Sequence, residues 1–141
     1  MIDIPAYKRD SEAEQSLIGC LLHAGNVGDD DTLDQIFGDC AAKDFLTTDL
    51  RTIFEAAKAL REEGEPIAPQ LLARRCKFEG AAHRLLELMQ SVNGASLAGS
   101  YIKLVLEASK QRAVVDASLN ALNAAKVGRH DTAIEVLRAG L

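Results

Sequence analysis

Apolar residues recur at three- and four-residue steps along most of this chain, the period of helices with one buried face. The longest run covers residues 96–127, where Tyr101, Val105, Val115, Leu119 and Leu122 are the larger apolar positions. It contains no proline, and Gly99 is its single internal breaker. Ser96 is placed to cap its start and Gly128 to supply a left-handed C-terminal residue. At 1.5 Å per residue such a helix is roughly 45–50 Å long, more than a compact domain of this size can cover. Its apolar stripe therefore points to a partner.

Shorter helices precede it. Ser11-Glu12-Ala13-Glu14 has the spacing of a capping box, after an irregular lead over residues 1–10 that contains Pro5. Leu17, Ile18, Leu21 and Leu22 then share a face, with Gly25 as the expected stop. Asp29, Asp30 and Asp31 stand before a short helix over residues 32–37, and residues 41–45 read as a helical turn. Leu50, Ile53, Phe54, Ala57 and Leu60 form the face of a helix that begins at Thr47 or Thr48 and ends at Gly64. Its last turn, Arg61-Glu62-Glu63, reads as ordinary solvated surface. Pro69 opens the next helix, with Leu71, Leu72 and Cys76, and Gly80 separates this from one bearing Leu85, Leu86, Leu88 and Met89. Asn93-Gly94 is a turn. After the long helix, Asp131 caps a last segment with Ala133, Ile134, Leu137 and Leu141, which makes an αα-hairpin. The expected fold is all-α: a compact bundle of short helices over residues 1–95, then a C-terminal helical hairpin over residues 96–141 built on the long helix.

Composition agrees with packed helices. Of 141 residues, 48% are hydrophobic and only 4% aromatic, with no Trp, whereas strands favour aromatic and β-branched residues. Charge is uneven. Residues 1–66 carry 15 acidic and 6 basic side chains, a balance of −9, and residues 67–141 carry 6 and 10, a balance of +4. An acidic front half argues against coating nucleic acid, so direct nucleic-acid binding is expected to be weak or absent. Cys20, Cys40 and Cys76 are odd in number and lack CxxC spacing, as free thiols in a reducing compartment would be. No basic-then-apolar leader and no membrane-length apolar run is present, so a cytoplasmic protein is expected.

Candidate chemistry is sparse. No Gly-Lys pair exists to build a P-loop, and GxSxG and HExxH are absent. Cys20 and His23 are three residues apart but lack a second ligand pair. The three consecutive aspartates suit hard cations, yet capping of the following helix explains them better. His83 and His130 have no evident partner in sequence, and Glu12 and Glu14 are accounted for by the capping box. Arg74, Arg75 and Lys77 form a small basic cluster, the one candidate recognition helix for a DNA-binding regulator. No catalytic, cofactor-binding or metal-binding residue is assigned, and the chain reads as a non-enzymatic binding module.

Taken in order, the pieces resemble the N-terminal domain of the DnaB-type replicative DNA helicases. The resemblance starts at Ser11-Glu12-Ala13-Glu14-Gln15-Ser16-Leu17-Ile18-Gly19. It continues through Asp44-Phe45, Ile53-Phe54, Leu60 and Gly64-Glu65-Pro66-Ile67, and resumes with Tyr101-Ile102, Val105, Glu107 and Arg112. Ala68 stands where the family usually has an aspartate cap, the segment at residues 77–82 is short, and the hairpin after Val127 has diverged. No RecA-like ATPase domain is found within these 141 residues. The resemblance implies a collar without its motor. In such helicases these domains form the N-terminal tier of a hexameric ring, hairpins of neighbouring subunits pair, and the tier recruits primase. The expected partners are therefore a second copy of the chain, a primase or a replicative helicase, in the setting of a primosome. The expected interface comprises Val115, Leu119 and Leu122, with Ile134 and Leu137 opposite. One alternative is a stand-alone phage or mobile-element protein that uses this fold to recruit or inhibit a host helicase or primase. A second is a small helical DNA-binding regulator.

Overall fold

The computed structural model describes the backbone of residues 4–126 and the side chains of residues 10–126. Six α-helices occur among these residues: α1 (Ile4–Val27), α2 (Asp30–Asp39), α3 (Thr48–Glu62), α4 (Pro69–Cys76), α5 (Ala81–Gln90) and α6 (Ala98–Lys126). A 3-10 turn, Ala42–Asp44, lies between α2 and α3, and no strand occurs among the described residues. The all-α expectation holds. The chain separates into two compact units, one ending at Leu106 and the other beginning at Glu107.

Within the first unit α1 is the central element and packs on α2, α3 and α5. Leu17, Ile18, Leu21 and Leu22 are all buried, as their shared face requires. They meet Leu33 and Ile36 of α2, Leu85 and Leu88 of α5, and the full expected face of α3 in one core. Phe54 of α3 is its aromatic centre. Phe45 lies 5.2 Å away, and Phe37 meets it edge-on at 5.4 Å. Ala98, Ile102 and Val105 bring the start of α6 into the same core.

The start of α1 differs from the expectation. Among the described residues the helix begins at Ile4, so residues 4–10 of the expected lead are helical and Ser11 is an interior residue. Pro5 is tolerated because it sits in the first turn, where its missing N–H would have had no helical acceptor. Ser11 accepts a hydrogen bond from the Gln15 side chain at 3.3 Å instead of capping. Glu14 is buried, and its carboxylate accepts the backbone N–H of Leu46. Arg51 holds the same linker from the other side, donating to the carbonyls of Phe45 at 2.7 Å and Leu46 at 3.0 Å. A sequence pattern that reads as a cap is thus a tertiary clamp between α1 and the entry to α3.

Gly25 does not end α1, which continues to Val27 and stops at Gly28 with φ of 73°. Gly19 and Gly25 serve close approach instead. A Cβ on Gly19 would lie 2.5 Å from the Leu88 carbonyl oxygen, and one on Gly25 would lie 2.8 Å from Cβ of Ile67. Gly19→Ala is therefore expected to lower stability by about 1–2 kcal/mol, the overpacking cost less the helix-propensity gain. Urea unfolding measures this, and an unchanged midpoint would contradict the close contact.

The other helix ends follow local chemistry. Asp29 caps α2, accepting the Thr32 N–H at 3.2 Å and its hydroxyl at 2.6 Å, so the capping reading of the acidic cluster is the observed one. Arg61 departs from its expected solvated role: it bridges α3 to α2 through Asp30 at 3.1 Å and Asp34 at 2.6 Å. Glu63 likewise is engaged, by Arg75 of α4. Arg84 of α5 reaches Asp49 of α3 at 2.7 Å. The Arg61 and Arg75 pairs are largely exposed and each contributes at most about 1 kcal/mol, while Arg84–Asp49 is part-buried.

Candidate protein interface on the long helix

The two ends of α6 face different environments. From Ala98 to Leu106 most of its apolar residues are spent on the first unit's core, with Ile102 and Val105 buried and Tyr101 and Leu106 packed against it, while Leu104 is 40% exposed. From Glu107 onward the larger apolar residues are open. Val114 is 40% exposed, Val115 56%, Leu119 53% and Leu122 60%. Val115, Leu119 and Leu122 are separated by four and three residues, so they form one stripe along the helix. A leucine exposed singly is ordinary, whereas three large aliphatic residues stacked on consecutive turns are a contiguous apolar strip.

The second unit also has a covered face. Ala121 is buried, and Ala117, Ser118, Ala124 and Ala125 are half-buried. These small residues leave little apolar area to gain from further contact, while the Val115–Leu119–Leu122 stripe would gain about 1.5–3 kcal/mol per fully buried side chain. The structure thus places the three expected interface residues of α6 together on an open face. Ile134 and Leu137, expected opposite them, lie outside the described residues. Val114 adds to the exposed set. The covered alanine-rich face has no signature in the sequence, because apolar period alone does not say which side of a helix is already covered.

The remaining sequence candidates resolve into structural roles. His23 bonds the Met89 carbonyl through Nε2 at 2.8 Å, and the Cys20 thiol points to the Gly94 carbonyl oxygen at 3.5 Å. The two therefore hold the end of α5 and the turn after it separately, and share no site. Burial pushes the thiols of Cys20 and Cys76 up to about 11 and that of Cys40 to about 12, so none is a thiolate at neutral pH. We expect alkylation by iodoacetamide at pH 8 to proceed at least tenfold more slowly in the native protein than in urea; equal rates would mean the thiols are open. His83 does have a carboxylate neighbour, Glu87 one helical turn along at 3.8 Å, a weak contact on the exposed side of α5. His130 lies outside the described residues. No cluster of three or more His, Cys, Asp or Glu side chains poised for a metal occurs among the described residues. No described helix is long and apolar enough to cross a membrane.

Comparison with known proteins places this architecture. The family model for the DnaB-like helicase N terminal domain matches residues 7–107, the stretch that contains the first unit's helices. The crystal structure of the N-terminal domain of DnaB helicase from Mycobacterium tuberculosis superposes with a TM-score of 0.79 at 23% sequence identity. The match covers 91% of this chain and 95% of that one. No curated protein matches the sequence significantly. The fold is shared along nearly the whole length, while the family pattern ends close to where the exposed part of α6 begins. The chain belongs to the DnaB-like helicase N-terminal domain family.

Proposed function

We propose that this chain is a non-catalytic DNA-replication module whose second unit associates with a second copy of itself and whose assembled form binds a primase. The observation that carries this reading is the open Val115–Leu119–Leu122 stripe on α6, in a chain of the DnaB N-terminal type. Three such residues from each of two copies supply apolar area that opposes the ordering cost of association. The work of the module is positional. It holds protomers in register and presents a surface, and any nucleotide hydrolysis belongs to a motor domain outside these 141 residues.

Mixing the purified chain with a purified primase and, separately, with an intact replicative helicase tests the partner. Co-elution with primase on size exclusion supports the collar reading. Co-elution with helicase alone moves the assignment to a helicase-directed binder. Co-elution with neither rejects both.

A further inference from the structure

The end of α3 and the length of α4 enclose an open groove of about 520 Å³ that the stripe on α6 does not involve. Its floor is aliphatic: Leu60 is buried and Leu71 half-buried. One wall is an internally neutral fork, in which Arg75 donates to both oxygens of Glu63 at 2.6 and 3.0 Å. Glu65 adds a second negative charge near Arg75. Arg74 and Lys77 remain on the rim, both exposed, and neither makes a hydrogen bond or ion pair among the described residues. Basic side chains at the end of α4 suit its helix dipole. The dipole does not explain the backbone of Lys77, which has φ of 59°, the only left-handed non-glycine residue among those described. Lys77 closes α4 as its left-handed C-cap, a position that glycine takes at a cost lower by about 1 kcal/mol.

We propose that this groove is a docking site for a short acidic protein segment that carries one aliphatic anchor residue. The anchor rests on Leu71 between the α3 and α4 walls, and carboxylates on either side of it meet Arg74 and Lys77. Charge complementarity selects this occupant over nucleic acid. Two free cations correspond to about two phosphate contacts, against the six to ten of a DNA-binding domain. Glu65 would also repel a continuous polyanion, whereas a segment with spaced carboxylates can avoid it. A carboxylate-bearing helix or turn gains both the ion pairs and the apolar floor.

The test uses the full chain, labelled with nitrogen-15, and a capped ten-residue peptide of Asp, Glu and Ser with one central Leu. Amide shifts confined to residues 60–77 are expected on titration. Arg74→Ala with Lys77→Gly should weaken binding at least tenfold, as should replacing the peptide's leucine by serine. Lys77→Gly removes the charge while relaxing the left-handed backbone, so the fold is retained, and an unchanged spectrum elsewhere verifies this. No shifts at millimolar peptide, shifts outside the groove, or affinity indifferent to the two substitutions would overturn the proposal. Tighter binding of a ten-nucleotide single strand would overturn it as well.

Discussion

Leu119→Asp is expected to abolish the proposed self-association and leave a monomer. Leu119 is the middle residue of the exposed stripe, so it lies at the centre of any pairing that uses Val115 and Leu122. Because Leu119 is 53% exposed in the single chain, its replacement removes about half of the ~1.5–3 kcal/mol of a full burial from each copy, or about 1.5–3 kcal/mol from a symmetric dimer. It also buries a charge without a partner. Together these weaken association by a factor of about 10² to 10⁴. The helix itself should survive, because the side chain is more than half exposed in the single chain and the substitution costs only a few tenths of a kcal/mol in propensity. Circular dichroism on the variant separates the two effects. A variant that keeps its oligomeric state shows that α6 meets its partner elsewhere, and one that loses helix shows a folding defect.

Glu14→Ala carries the largest expected effect on the fold. The Glu14 side chain is buried and accepts the Leu46 N–H at the entry to α3. Removing it leaves a backbone donor in the linker without its acceptor and leaves a gap against α1. The expected loss is about 2–3 kcal/mol, which lowers the thermal midpoint by roughly 5–10 °C for a protein of this size. Glu14→Gln keeps a carbonyl oxygen for Leu46 and should lose clearly less. Equal losses in the two variants would assign the effect to packing of the side chain and remove the clamp from the account.

These two residues also show what a single sequence can and cannot convey. The face of α3 is readable because Leu50, Ile53, Phe54, Ala57 and Leu60 fall on one helical stripe and all of them are buried. Asp29 is readable because capping is local, decided by a donor three residues on. Glu14 misleads for a physical reason. Serine followed by glutamate three residues later fits a helix start, but the same pair fits a helix interior once Pro5 is accommodated in the first turn. Glu14's true partner is 32 residues away, and local spacing carries no record of it. Arg61 and Glu63 look solvated in sequence for the same reason, since their partners lie on α2 and α4. The candidate interface is readable as a stripe. Its separation into an open Val/Leu side and a covered, alanine-rich side requires three dimensions, because hydrophobic period identifies faces without ranking them.

The groove on α4 illustrates the complementary point. A cluster of Arg74, Arg75 and Lys77 could touch a phosphate when only sequence is considered, although an exposed helix face is the better reading. The structure assigns Arg75 to Glu63, and the two cations that remain stand over leucines. The reading thereby shifts from nucleic acid toward protein.

Sedimentation velocity of the wild-type chain across micromolar concentrations tests the central claim most directly. A dimer or larger species whose fraction rises with concentration is the predicted result, and a monomer at every concentration would contradict it.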